Sequence, residues 1–301
     1  MKAFKEILGS SEFAITAELS LTPTQDPPQL LAQALAATAV ADAVQIPDHR
    51  NARPHITPVA VAAHLLPHNI ETIVRMNCRD RNRIAIQSEL LSARSFGIRN
   101  LLISRGNDFP SDQMPPSSAV HDLTAIDLIR TAAAIRDGEA MADENSTNTV
   151  DFCIGAVATA IKPKKDWQPE KLMAKADAGA QFIQLQACMN VETLRSYLAR
   201  LVETRLTWRF QVLANVPVFH SAEAARTFRR ATAGSVIPSS IVERLRQAKD
   251  PEAEGVAIAA ETLRSLNDVP GVSGANIYTA GDPALIIAAI KASGLRPDVD
   301  A

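Results

Sequence analysis

Short apolar segments alternate with longer alanine- and leucine-rich segments along the whole chain. The short segments are rich in Val, Ile, Leu and Ala, a pattern that predicts buried strands. Eight are recognised: Ala14–Leu19, Ala41–Ile46, Glu71–Asn77, one centred on Leu101–Ile103, Asp151–Ala158, Gln181–Gln186, Phe210–Val216 and Val272–Thr279. Because these strands are apolar on both faces, they indicate parallel pairing in a sheet covered by helices.

A predicted helix follows each strand, and two further helices precede the last strand. The predicted helices are Gln29–Ala37, Pro58–Leu66, Asp80–Phe96, Asp122–Arg136, Pro169–Ala178, Asn190–Thr204, Ser221–Thr232, Ser240–Gln247, Pro251–Leu266 and Pro283–Ser293. Polar stretches over 107–121 and 137–149 predict a long loop and a surface connection. Eight strand–helix units in 301 residues predict a single (β/α)₈ barrel domain spanning 1–301. A doubly wound open sheet is the alternative, and it is weaker because no GxGxxG follows any strand.

Composition narrows the class of protein. The chain is 47% hydrophobic, which allows a large core, and its net charge of −2 and 4% aromatic content disfavour nucleic acid as a partner. The three cysteines are widely spaced, and the six histidines form no HExxH pair, so we expect neither a disulfide framework nor a metal site. The first residues lack a signal-peptide core, and no apolar run is long enough to span a membrane. We therefore expect a cytoplasmic protein with no membrane partner.

Polar residues stand at the carboxyl ends of the predicted strands, where barrel enzymes place their catalytic groups. They include Glu18, Asp48, Asn77, Arg79, Arg105, Asn107, Asp108, Gln186 and Tyr278. Gly106 lies between Arg105 and Asn107, and Gln184 is carried by the sixth strand itself. For 105–108 an ordinary surface turn is the simpler interpretation, since Gly-Asn-Asp is good turn chemistry. Glu18 and Gln186 are less easily explained in that way, because apolar or small residues flank both. A partly desolvated carboxyl group such as that of Glu18 suits a proton donor.

Several segments together resemble the methylenetetrahydrofolate reductases of the bacterial single-domain type. The segments are Thr16–Leu19, Cys78–Arg83, Gly97–Asn100, Arg105–Gly106, Lys175–Gln186, Val216–Val218, Val236–Pro238 and Ile277–Thr279. The resemblance covers nearly the whole chain and rests on the order and spacing of these segments, since no single motif is decisive. It implies a flavin-bearing (β/α)₈ barrel that interconverts 5,10-methylenetetrahydrofolate and 5-methyltetrahydrofolate, with FAD and NAD(P)H as cofactors.

The resemblance also implies roles for individual residues. Glu18 is similar to the family's general acid, and Asp108 is a second candidate catalytic residue. Gln186 is similar to the glutamine that contacts the pterin, and Gln184 and Tyr278 are further candidates for substrate binding. The implied cofactor-binding residues are Asp48, Asn77, Arg79, Arg105, Gly106, Asn107 and Lys175.

The chain departs from the family pattern mainly where flavin is normally bound. Asn107 interrupts the usual Arg-Gly-Asp, Pro47-Asp48 replaces a Thr-Tyr pair, Arg75 replaces a histidine, and Gly281-Asp282 stands where an arginine is usual. The family's Tyr-Pro-Glu-x-His-Pro run is replaced by residues 158–163. These departures leave open that NAD(P)H delivers hydride directly, without flavin.

Three functions stay open from the sequence. The first is the reductase with a tetrahydrofolate substrate, and the second is an inactive folate- or flavin-binding barrel that acts as a partner in a methyl-transfer pathway. The third, a barrel lyase or aldolase, is weaker because it needs a Schiff-base lysine and none of the eight strands carries a lysine. A homo-oligomer is compatible with each of these interpretations.

Overall fold

A computed structural model describes residues 2–49, 53–109, 116–139 and 150–296 and shows a closed barrel of eight parallel strands. The strands are β1 Ala14–Glu18, β2 Ala43–Ile46, β3 Thr72–Asn77, β4 Asn100–Ser104, β5 Cys153–Ala158, β6 Phe182–Leu185, β7 Gln211–Val218 and β8 Gly274–Thr279. Each strand pairs with the next, and β8 pairs with β1 to close the barrel. The predicted (β/α)₈ barrel is confirmed, and the open sheet is excluded.

Helix α1 precedes the barrel, and the other helices surround it in the predicted order. They are α1 Phe4–Leu8, α2 Pro27–Thr38, α3 Pro58–Leu65, α4 Arg83–Phe96, α5 Ala125–Arg136, α6 Glu170–Asp177, α7 Val191–Glu203, α8 Ala222–Ala231, α9 Ser239–Gln247, α10 Pro251–Asn267 and α11 Ala284–Ser293. No helix in the described part of the chain is long and apolar enough to span a bilayer. The predicted loop over 107–121 and the connection over 137–149 lie partly outside the described residues, at 110–115 and 140–149.

One helical prediction needs correction, and one helix was not predicted. Helix α4 begins at Arg83 instead of Asp80, because the Asn82 side chain accepts a hydrogen bond from the Ala85 amide at 3.0 Å and caps the helix. This later start leaves Asp80 in the loop after β3, where its carboxylate is free to pair with other side chains. Helix α1 was not predicted, since five residues are too few to show a helical period.

Helix α1 closes the amino end of the barrel. Its Phe4, Ile7 and Leu8 are buried against a layer of apolar, inward-facing strand residues. The Phe4 and Phe182 rings meet edge to face, with centroids 5.6 Å apart. The Phe182 ring also covers Gly155, where an added Cβ would lie 2.1 Å from it. This end of the interior is therefore filled by apolar side chains.

The next level of the barrel interior is polar. Because side chains alternate along a strand, the inward positions two residues beyond the apolar layer share one level. Seven of them are polar or charged: Thr16, Gln45, Arg75, Ser104, Gln184, Asn215 and Asn276. Such side chains replace the branched apolar residues that usually fill barrels of this kind. The fold thus places a polar interior directly beneath the carboxyl ends of the strands.

Candidate active site at the carboxyl ends of the strands

Most of the predicted site residues lie at one rim of the barrel. Glu18, Asn77, Arg105, Gln186 and Tyr278 end or follow β1, β3, β4, β6 and β8, and parallel strands in a closed barrel end on the same side. The residues at 48, 79 and 106–108 follow β2, β3 and β4 and belong to the same rim. Two predicted site residues do not lie at the rim: Lys175 is on helix α6, and Gln184 is deeper in the barrel.

Glu18 is the buried carboxyl group of this rim. Its side chain is 4% exposed, and its Oε2 accepts a hydrogen bond from the Gln45 Nε2 at 3.0 Å. The Arg75 Nη1 lies 3.6 Å from the same oxygen. An amide and a guanidinium group from the next two strands therefore hold one oxygen of the carboxylate, and the positive charge compensates for its burial.

A hydrogen-bond network crosses the other half of the barrel interior. The Thr16 hydroxyl donates to Asn276 Oδ1 at 2.9 Å, Asn276 Nδ2 donates to Asn215 Oδ1 at 2.9 Å, and Gln184 Nε2 donates to that same oxygen at 2.8 Å. Two buried amide oxygens, Oε1 of Gln184 and Oε1 of Gln45, accept no hydrogen bond within the described chain. Buried acceptors without donors are costly, so a ligand that offers N–H groups fits this interior.

A second polar cluster joins the ends of β2 and β3. Asn77 Nδ2 donates to Asp48 Oδ2 at 2.6 Å and to Asp80 Oδ2 at 3.0 Å. Arg79 binds both oxygens of Asp80, through Nε at 2.5 Å and Nη2 at 2.9 Å, and Arg81 pairs with Asp48. Each carboxylate in this cluster thus has an arginine partner.

His49 extends this cluster at the end of β2. Its Nδ1 lies 3.3 Å from Asp80 Oδ2, and the hydrogen bond to Asp80 raises the pKa of His49. Burial alone would raise the pKa of Asp80, but hydrogen bonds from His49, Arg79 and Asn77 together lower it. Ligand atoms of Asp48, His49 and Asp80 lie within 4.8 Å of one another. Two arginines already compensate these carboxylates, so the geometry is that of an ion-pair cluster.

The loop after β4 is divided between a buried and an exposed part. Gly106 has a φ of +85°, and an added Cβ would lie 2.8 Å from the Arg79 Cβ, so its backbone packs closely against that side chain. Arg79 Nη1 also donates to the Asn107 carbonyl oxygen at 3.0 Å. In contrast, Arg105 and Asp108 pair with each other at 3.1 Å while 62% and 82% exposed. The exposed pair therefore lies on the surface of the rim, away from the buried Glu18.

Lys175 lies on α6 and is bound to the barrel wall. Its Nζ donates to the Val157 carbonyl oxygen of β5 at 2.6 Å. Burial, and to a lesser extent the charge of Lys171, lowers the pKa of the Lys175 amine. The amine therefore completes the hydrogen bonding of a strand instead of standing free for a phosphate.

The hydrogen bonds of the implied cofactor-binding residues test whether they fit a flavin. The side-chain amide of Asn77, the guanidinium of Arg79 and the amine of Lys175 all donate to protein groups. Gly106 packs on a protein side chain, as described above. In this arrangement the described part of the rim does not fit a flavin.

Sequence reasoning missed two partners and one histidine. Gln45 and Arg75 stand within apolar strands, and only the strand register shows that they reach Glu18. His220 follows β7 beside Gly281, where an added Cβ would lie 2.9 Å from its Nδ1. That nitrogen is buried and has no hydrogen-bond partner in the described ranges. Gln45 and Arg75 could have been recognised from their positions, because each lies two residues after an inward-facing apolar residue of its strand.

The closed barrel and the buried Glu18 carboxylate at the carboxyl ends of its strands together define a (β/α)₈ barrel protein with a candidate active site at that rim. A sequence profile for methylenetetrahydrofolate reductase matches residues 3–294. The chain belongs to the methylenetetrahydrofolate reductase family. Among curated proteins, a sequence search found no match.

Solved structures share the fold at low sequence identity. An uncharacterized protein from Clostridium thermocellum, described as binding two copies of 5-methyl-5,6,7,8-tetrahydrofolic acid, has a TM-score of 0.65 at 14% identity, with 96% of each chain covered. EDTA monooxygenase from Chelativorans sp. BNC1 has a TM-score of 0.56 at 11% identity, covering 94% of this chain and 93% of that one. For 2,3-dimethylmalate lyase the TM-score is 0.52 at 14% identity, with coverage of 95% and 82%. These likenesses concern the fold.

Proposed function

We propose that the chain is a folate oxidoreductase that interconverts 5,10-methylenetetrahydrofolate and 5-methyltetrahydrofolate, with NAD(P)H as the hydride donor. The observation that carries the proposal is the buried Glu18 carboxylate at the rim, held by Gln45 at 3.0 Å and Arg75 at 3.6 Å. Membership of the reductase family supports the reaction. The Clostridium thermocellum protein supports a methylated tetrahydrofolate as ligand of this fold.

Glu18 supplies the proton in this mechanism. In the reductive direction its carboxyl group gives a proton to the folate nitrogen that leaves the methylene carbon as the five-membered ring opens. The resulting carboxylate faces the iminium cation and stabilises its charge. Reduction of the iminium to the methyl group would take a hydride from NAD(P)H, which would leave as NAD(P)⁺. In the oxidative direction the carboxylate takes the proton back as the ring closes.

Three residues are proposed to bind the pterin. Gln186 follows β6 at the rim and is partly exposed, and Gln184 beneath it offers a buried Oε1 without a donor. Tyr278 is the last residue but one of β8, and its ring packs against Phe228 of α8 with centroids 5.9 Å apart. Amide oxygens and a phenol match the N–H and carbonyl edge of a pterin, because each can be paired by a hydrogen bond.

Replacing Gln186 with alanine is expected to weaken binding of 5-methyltetrahydrofolate by roughly three- to tenfold, the effect of one lost hydrogen bond. Isothermal titration of the purified protein measures this change. Gln247→Ala removes an exposed glutamine at the end of helix α9 and serves as the control. Failure of the unaltered protein to bind the folate would overturn the proposed function, and equal affinities of all three proteins would remove Gln186 from the site.

Flavin is expected to be retained at less than one equivalent, because the described cofactor-binding groups are engaged with one another. Absorbance in the flavin bands after extensive dialysis measures the retained amount. In parallel, added FAD is expected to leave the NAD(P)H-dependent turnover of methylenetetrahydrofolate unchanged. Protein that stays stoichiometrically yellow, or that turns over only with added FAD, would show that a flavin is needed.

A folate- or flavin-binding barrel without reductase activity, acting as a partner in a methyl-transfer pathway, is the second candidate. The engaged residues around Asn77 and Arg79 favour it, because they leave few free groups for a redox cofactor. The two candidates differ in one measurement. A protein that binds 5-methyltetrahydrofolate but oxidises no NAD(P)H in the presence of methylenetetrahydrofolate is a carrier.

A further inference from the structure

Arg75 is a charged side chain in an interior level that is otherwise neutral. It lies in the middle of β3, in register with Leu102 of β4, and its inward neighbours at this level carry hydroxyl or amide groups or no polar group. Its side chain is 21% exposed, whereas that of Glu18 is 4% exposed. The guanidinium group therefore extends from the interior toward the rim, at the level where Glu18 ends β1.

Arg75 and Gln45 act on the same oxygen of Glu18. The guanidinium Nη1 lies 3.6 Å from Oε2, and the amide Nε2 donates to Oε2 at 3.0 Å. The two groups come from β3 and β2, so both approach the carboxylate from one side of the barrel. Contacts from a fixed direction restrict rotation of the carboxylate, and the positive charge offsets the cost of burying it.

We propose that Arg75 is a positioning residue that acts through Glu18 and fixes its carboxyl group for proton transfer at the rim. The proposal rests on the proposed function for the identity of the reaction. It assigns Arg75 no contact with the reacting atoms. Its effect on catalysis therefore disappears when Glu18 can no longer transfer a proton, which a purely structural residue would not show.

A double-mutant cycle tests this dependence. The variants are Arg75→Met, Arg75→Lys, Glu18→Gln and the Glu18→Gln/Arg75→Met double variant, each measured for kcat and KM with methylenetetrahydrofolate and NAD(P)H and for its unfolding temperature. Arg75→Met is expected to lower kcat by about 10- to 100-fold, the effect of a misplaced catalytic group, and to change KM by less than about threefold. Arg75→Lys keeps the charge and is expected to recover part of kcat.

Non-additivity distinguishes positioning from a structural role. In the Glu18→Gln background, Arg75→Met is expected to cause no further loss of kcat. Unfolding temperature is expected to follow the same pattern, because Arg75→Met alone removes a positive charge beside a buried carboxylate, whereas the double variant has no carboxylate at position 18. A kcat loss of equal size in both backgrounds, or a change in KM alone, would overturn the proposal.

The two proposals can fail separately. If the unaltered protein shows no turnover, the reductase function fails, and the Arg75 proposal is then decided by the unfolding temperatures. If the decreases in unfolding temperature caused by Glu18→Gln and Arg75→Met add up in the double variant, the pairing of Arg75 with Glu18 is overturned. A double variant that unfolds at a higher temperature than Arg75→Met would retain Arg75 as the group that holds Glu18.

Discussion

Replacing Glu18 with glutamine is expected to lower turnover of methylenetetrahydrofolate by about 10²- to 10⁴-fold, the usual contribution of general acid catalysis. Glutamine keeps the size of the side chain and its capacity to accept a hydrogen bond from Gln45, but it cannot transfer a proton. Binding of 5-methyltetrahydrofolate is therefore expected to change by only a few fold. Steady-state NAD(P)H oxidation and folate titration measure the two effects separately.

Two control variants sharpen the result for Glu18. Glu203→Gln removes a carboxylate that is 63% exposed on α7, and it is expected to leave turnover unchanged. Asp108→Asn tests the second candidate acid, which is 82% exposed and paired with Arg105. Near-normal turnover of Glu18→Gln together with a large loss in Asp108→Asn would transfer the proton-donor role to Asp108.

Replacing Phe182 with alanine is expected to lower the free energy of unfolding by about 3–5 kcal/mol, the usual cost of truncating a buried phenylalanine. The ring is fully buried at the amino end of the barrel, against Phe4 of α1 and over Gly155 of β5. Urea unfolding followed by circular dichroism measures the loss. Phe96→Ala removes a ring that is 55% exposed and is expected to cost far less.

Gly155 offers a matched partner for the Phe182 variant. Gly155→Ala alone places a Cβ within 2.1 Å of the Phe182 ring, which forces the ring or the strand to shift. In the Phe182→Ala background the same methyl group enters the space that the ring has left. Gly155→Ala is therefore expected to lower the free energy of unfolding as a single substitution and to be neutral or favourable together with Phe182→Ala. Additive losses in the free energy of unfolding would show that the Phe182 ring is not the reason why residue 155 must be glycine.

The barrel could be predicted from the sequence because its strands are continuous apolar runs that helices separate regularly. The predicted strand ends lie within two residues of those observed. Helix α1 escaped prediction because Phe4–Leu8 is one short turn whose apolar residues gain stability only by packing under the barrel. The start of α4 was misplaced because Asp80 and Asn82 are both plausible caps by residue type, and only the observed hydrogen bond from the Ala85 amide to the Asn82 side chain decides between them.

The rim was predictable in position but not in its pairings. Residues that follow strands can be found one strand at a time, as with Glu18, Arg105 and Gln186. The pairing of Glu18 with Gln45 and Arg75 depends on the register between three strands, which sequence patterns do not specify. From sequence, Arg75 was notable only as a departure from the family pattern. In the structure, Arg75 Nη1 lies 3.6 Å from Oε2 of Glu18, a residue 57 positions earlier in the chain.

The closure of the barrel by α1 has a kinetic consequence. Because apolar side chains fill the amino end in the described part of the chain, protons from bulk water reach Glu18 from the side of the rim. A folate bound over the rim closes that route, so a proton on Glu18 exchanges with solvent before binding and is retained until the ligand leaves.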